Sequence, residues 1–263
     1  MSLPPILRLL ERRPISYTVL VIFVLDKSLS MSMTKTYDKR SKWEHLVELV
    51  ERILNRLYRS SMAMAFRVGF VWFSDEVVRV TRDGKSYFPV RPRNIALEVF
   101  KSTLEENTPA GMTAIADALY AAGRIVDEYI ADKTIPNEKY VTVFLMTDGK
   151  ETVKTEDDVL AAAGYLTFDC AEKLRSLYER NSIGLATIAL GLDADRQLLR
   201  DIASYLSELQ RQALEEHGII HLVDPPYHEK MFIDAPRGDE ITKEWEEAVR
   251  RFIEKLSETA TVR

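Results

Sequence analysis

The 263-residue chain contains one cysteine, Cys170, so no intramolecular disulfide can staple it. That usage suits a reducing compartment, and Cys170 falls in a helical pattern where a small buried hydrophobe is the expected role. Histidine is scarce too. His217, His221 and His228 stand near one another, but no cysteine accompanies them, which disfavours zinc. There is no excess of basic charge: 36 Lys and Arg face 41 Asp and Glu, and no long basic run occurs. Nucleic acid or an anionic membrane surface is therefore not the expected partner. The most apolar run, Tyr17–Leu25, interrupted only by Thr18, is about half of what a membrane-spanning helix needs. The opening residues, MSLPPILRLLERRP, mix proline and charge around a short apolar run and do not read as a secretory signal. A P-loop sequence is missing, which excludes an autonomous nucleotide site of that kind. The expected location is cytoplasmic.

What is present is an ordinary globular composition, 46% hydrophobic and 29% charged. At this length roughly three quarters of the unfolded surface can be buried without covalent help. Apolar, β-branched runs occur at 17–25, 66–73, 77–81, 140–147, 183–190 and 219–223. Several are apolar almost throughout, as strands covered on both faces are. Only Ser74, Asp75 and Glu76 separate the second from the third, which predicts a hairpin and one antiparallel edge strand.

Amphipathic stripes alternate with these runs. Trp43, Leu46, Val47, Val50, Ile53, Leu54 and Leu57 share a helical face, and Ser41 with Glu44 offers a capping box. Further stripes run from Ile115 to Tyr129, from Leu198 to Ala213 and from Trp245 to Leu256, with shorter helices over 94–105 and 167–180. Such alternation predicts an α/β fold, Rossmann-like and doubly wound: a mostly parallel six-stranded sheet with helices on both faces. The expected organisation is an extension over 1–14 and a single domain over 15–263. That domain includes a long loop over 224–240 and a C-terminal helix over 241–258.

In this architecture ligands bind beyond the carboxyl ends of the parallel strands. The first strand ends in FVLDKSLSM and brings Asp26, Ser28 and Ser30 there; the fourth ends in MTDGKE and brings Asp148. Thr113, in NTPAGMTA, stands at the expected start of a helix, whose amino end would favour an outside anion. Two carboxylates and three hydroxyls without histidine or cysteine form a hard oxygen set. It suits Mg²⁺ or Mn²⁺, with Ca²⁺ as a third choice. A first shell so poor in negative charge leaves a bound ion able to take an external carboxylate.

These residues carry a resemblance. Asp26-x-Ser28-x-Ser30, then Thr113, then Asp148-Gly149 resembles the metal-ion-dependent adhesion site of the von Willebrand factor A domain, over about residues 15 to 223. The resemblance implies that Ser28 and Ser30, with Thr113 as the third candidate, contact the metal directly, and that Asp26 and Asp148 act through ordered water. It implies a protein-interaction module without catalysis, whose partner completes the coordination with an acidic side chain. An intracellular member is expected, serving for example beside an AAA+ ATPase. Two positions depart from the family pattern, where Gly often stands at Leu29 and a small or neutral residue at Lys27. Leu29 is tolerable if its backbone avoids positive φ. Lys27 either places a cation near the metal or points to solvent. A haloacid-dehalogenase-like phosphohydrolase is the rival, but it needs a second acidic residue where Ser28 stands. A structural subunit with a metal-free site is the third possibility.

Overall fold

The computed structural model describes residues 17–33, 39–135, 138–177, 183–203 and 232–235. Its organising element is β1 (Tyr17–Asp26), which pairs in parallel with β2 (Phe66–Phe73) on one side and β5 (Glu138–Thr147) on the other. Because side chains alternate along a strand, β1 feeds two cores at once. Val19, Val21, Phe23 and Leu25 pack with α1 (Lys42–Arg59) and α2 (Ile95–Thr103). Leu20, Ile22 and Val24 pack with α3 (Ile115–Ala131), α4 (Glu156–Gly164), α5 (Cys170–Leu177) and α6 (Arg196–Ile202). All seven of these β1 side chains are 0–2% exposed, so from Val19 to Leu25 the strand has no room for polarity.

The sheet continues through β6 (Ile183–Leu190) to β7 (Phe232–Ala235), both parallel, while β3 (Val77–Arg79) and β4 (Tyr87–Pro89) pair antiparallel with β2. The order β3-β2-β1-β5-β6-β7, with β4 off the path, is the doubly wound, mostly parallel sheet expected from the sequence. The hairpin at Ser74–Glu76 also forms, and the Ser74 N–H donates to the Glu76 carbonyl at 2.9 Å. The short strand β4 was not anticipated; three residues ending in proline carry no alternation to read.

Two expectations are corrected. Part of the loop expected over 224–240 is a strand, β7, paired with β6 from Thr187↔Phe232 to Leu190↔Ala235. The helix expected over 167–180 begins instead at Glu156, where Thr155 and Asp158 form a capping box, and passes through a π turn (Tyr165–Asp169) into α5. The strand expected over 219–223, the helix over 241–258, the extension over 1–14 and the three neighbouring histidines lie outside the described residues. Cys170 is buried and unpaired with another cysteine, and burial pushes its thiol up to about 11, so it packs and does not react.

At the start of α1 the Ser41 hydroxyl accepts from Glu44 N–H at 3.1 Å and the Glu44 carboxylate accepts from Ser41 N–H at 2.7 Å, as its sequence predicts. The end of α3 is closed differently. Lys139 of β5, 2% exposed, donates to the carbonyls of Tyr129, Ile130 and Asp132 at 2.7, 2.9 and 2.8 Å. A strand lysine thus satisfies three carbonyls at the end of the helix, where a cation also complements the helix dipole. Lys139→Met strands those acceptors and is expected to lower stability by about 2–3 kcal/mol in urea denaturation; a loss below ~0.5 kcal/mol contradicts this role.

Candidate functional site

β1 and β5 are paired in register, Leu25 opposite Met146, so they deliver Asp26 and Thr147 to the same level. There the apolar runs stop. Asp26 is fully buried: Oδ1 accepts from the Ser28 N–H at 2.7 Å and Oδ2 accepts from the Thr147 hydroxyl at 2.5 Å. The next residue, Asp148, is 4% exposed. Burial, and then the charge of Asp148, push the Asp26 carboxyl up to about 7 against the hydrogen bonds from Thr147 and Ser28. Ser28 and Ser30 lie with their Oγ atoms 3.0 Å apart at the opening of a 3₁₀ turn, Leu29–Ser32.

Three loops are sewn onto this edge by backbone hydrogen bonds. Ala110 N–H donates to Lys27 O at 2.7 Å and Leu29 N–H to Gly111 O at 3.0 Å, tying the segment before α3 to the end of β1. Thr152 N–H donates to Thr113 O at 3.0 Å, and Asp195 N–H to Asp148 O at 2.8 Å. Thr113 is buried, and its own N–H donates to the Thr152 hydroxyl at 2.8 Å. All five residues singled out in the sequence therefore come to one edge of the sheet.

The role expected for the start of α3 is corrected. Ala114 is the N-cap, and the Ile115 and Ala116 N–H groups donate to Glu151 Oε2 at 2.7 and 3.3 Å. Glu151 Oε1 meanwhile accepts from the N–H groups of Thr152, Val153 and Lys154. The chain's own carboxylate occupies the helix end that an external anion was expected to feel. Leu29 is 57% exposed and has no positive φ, so its branched side chain is unstrained. Lys27 is half-buried and makes no ion pair among the described residues.

The cation at this edge is another residue. Lys42, the first residue of α1, is 0% exposed and donates to Asp148 Oδ2 at 3.0 Å and Asp193 Oδ1 at 2.7 Å. Asp148 Oδ1 is buried with no hydrogen-bond partner among the described residues. A buried carboxylate oxygen without a donor is costly and calls for a partner that the described residues do not supply. The donor set is two acids and the hydroxyls of Ser28, Ser30 and Thr113, and a hard divalent cation fits it. Such an ion would supply the missing partner and offset the repulsion between the acids.

The titration of Asp26 gives a prediction for chelator-treated protein. The folded state keeps this proton to about pH 7, whereas an unperturbed aspartate loses it near 3.8. Between those values the folded state binds more protons, so stability falls as pH rises, by up to about 1.4 kcal/mol per pH unit. Urea midpoints of the metal-free protein are expected to fall from pH 5 to pH 7, and Asp26→Asn to flatten that slope. A wild-type midpoint that rises over the window contradicts the burial argument.

The sequence pattern of the von Willebrand factor type A domain matches residues 21–211. Among solved structures the chain is similar to the manganese-loaded TRAP protein of Plasmodium vivax, at 19% identity and TM-score 0.50, over 86% of this chain and 71% of that one. It is similar to the conserved hypothetical protein BatB of Bacteroides thetaiotaomicron, at 13% identity and TM-score 0.51, over 89% and 99%. The PilB minor pilin of Streptococcus sanguinis matches at 12% identity and TM-score 0.54, over 94% of this chain and 62% of the pilin. At these identities the likeness establishes the fold, and the family match adds the lineage. The chain belongs to the von Willebrand factor type A domain family.

Proposed function

We propose that the chain is a metal-ion-dependent protein-interaction module that holds Mg²⁺ or Mn²⁺ and captures a carboxylate of a protein partner. Ser28, Ser30 and Thr113 would hold the ion directly, and Asp26 and Asp148 through ordered water. The ion, when bound, supplies an electropositive position for an Asp or Glu side chain. The observation that carries this reading is the buried Oδ1 of Asp148, without a hydrogen-bond partner among the described residues, beside a second buried acid and paired serine hydroxyls. That the similar TRAP structure is manganese-loaded supports it.

The surroundings support a protein partner. Of eight large apolar side chains exposed among the described residues, five (Leu29, Met33, Met112, Val153 and Leu192) stand on the loops around the site. Apolar side chains gathered on one edge mark a contact surface more than scattered ones do. The proposed setting is cytoplasmic, as an adaptor in a larger complex such as an AAA+ ATPase assembly. Among the described residues no helix is long and apolar enough to cross a membrane. The test is retention of partners from native extract by wild type and Asp26→Ala, each with and without chelator. The proposal expects partners only on wild type without chelator; equal retention under all four conditions overturns it.

A further inference from the structure

The proposed metal centre contains a fixed positive charge of its own. Lys42 is an unusual occupant for the first turn of a helix: its ammonium is fully buried and shared between two carboxylates. Several features build that position. The capping box fixes the start of α1 at Ser41, and Lys42 then lies one turn before Leu46 on the buried stripe. Gly191, at the end of β6, leaves space for the aliphatic stem; a Cβ there would lie 2.6 Å from Lys42 Cε. Asp193 holds the ammonium from the solvent side, with its side chain 36% exposed. The Asp195 N–H on Asp148 O fastens the same loop to β5.

We infer that Lys42 sets the centre's affinity for divalent cations from within, with Asp193 tuning the charge that Lys42 presents. The inference rests on the metal reading above. Lys42 occupies one oxygen of Asp148 and leaves the other buried, with no hydrogen-bond partner among the described residues. Its charge opposes an incoming cation, so the centre binds metal more weakly than its two acids alone would. The same charge has a second consequence. Ionised Asp26 and Asp148 would neutralise a divalent ion on their own; Lys42 takes up part of the Asp148 charge, while Asp193 balances the ammonium from the solvent side, so a bound ion stays less fully neutralised and open to an external carboxylate. Asp193 draws part of the ammonium's field toward solvent.

The two partners therefore predict opposite changes, which a purely structural ion pair does not. In calorimetric titration of the full chain with MnCl₂, Lys42→Met is expected to bind about tenfold more tightly, and Asp193→Asn several-fold more weakly, than wild type. Circular dichroism of each variant reports folding. If Lys42→Met does not fold without metal, Lys42→Gln, which keeps a donor and drops the charge, replaces it. If neither folds, the Asp193→Asn arm decides, weaker binding upholding the inference and equal or tighter binding overturning it. Wild-type binding with both variants unchanged, or shifted in the same direction, overturns the inference and leaves the metal reading standing. Binding by Lys42→Met alone upholds the inference while overturning the metal reading for the wild-type chain. Binding by none of the proteins overturns both.

Discussion

Asp148→Ala is expected to weaken Mn²⁺ binding by roughly 10- to 100-fold, the range seen when a group acting on a metal through an intermediary is removed. The side chain is 4% exposed, one oxygen is engaged by Lys42, and the other faces no donor among the described residues. Its removal takes away the oxygen position that most requires a cation and leaves the buried Lys42 ammonium paired with Asp193 among the described residues. Both changes act against metal. At Asp148 the side-chain hydrogen bond lost among the described residues is that of Lys42, which keeps Asp193. Asp26→Ala would leave the Ser28 N–H and the Thr147 hydroxyl without their carboxylate, adding a folding penalty of about 1–3 kcal/mol for each buried orphan. The measurement is the electron paramagnetic resonance signal of free Mn²⁺ at fixed total metal. Affinity equal to wild type in folded Asp148→Ala would remove this residue from the centre.

Gly149→Ala is expected to cost about 2–4 kcal/mol, and the comparison with Gly84→Ala shows why. Both glycines have positive φ, +80° and +74°. At Gly84 an added Cβ meets nothing within 4 Å, so only the left-handed backbone penalty of about 1–2 kcal/mol applies. At Gly149 it would sit 2.8 Å from Cδ1 and Cγ of Leu199 and 3.0 Å from the Asp195 carbonyl. Leu199 is fully buried and cannot swing away. Relief must come from the α6 loop, whose Asp195 N–H holds the Asp148 carbonyl. Stability and the geometry of the site should therefore fail together. Parallel urea denaturation of the two variants checks this; equal losses at both positions would refute the packing argument.

How much of this was legible in the sequence depended on the range of the interaction. β1 announced itself because both its faces are buried, and α1 and α3 because their stripes are long. The Ser41–Glu44 box spans three residues and was readable directly. β7 was hidden by brevity: four residues in a proline-rich stretch offer no periodicity. Glu151 was in plain view within MTDGKE, yet its bonds to Ile115 and Ala116 span 36 and 35 residues, and no local pattern reports them. Lys42 is the instructive miss. Lys27 is nearer to Asp26 in sequence, but it is Lys42 that shares the apolar stripe with Leu46, Leu49 and Ile53. A lysine on a buried face has to find acceptors, carbonyls for Lys139 and carboxylates for Lys42, and helical spacing alone is enough to ask which. The acids and serines were legible because they follow strands directly. Thr113 stands on the expected edge, while the helix end expected there to favour an outside anion is occupied by Glu151.

Anomalous diffraction from crystals grown with MnCl₂ decides whether Asp26, Ser28, Ser30, Thr113 and Asp148 form a centre for a divalent cation. A strong manganese peak bonded to the hydroxyls of Ser28 and Ser30 is expected, with Asp148 Oδ1 turned toward the ion or its waters. A well-ordered edge with no peak there, or a peak held by other residues, contradicts it.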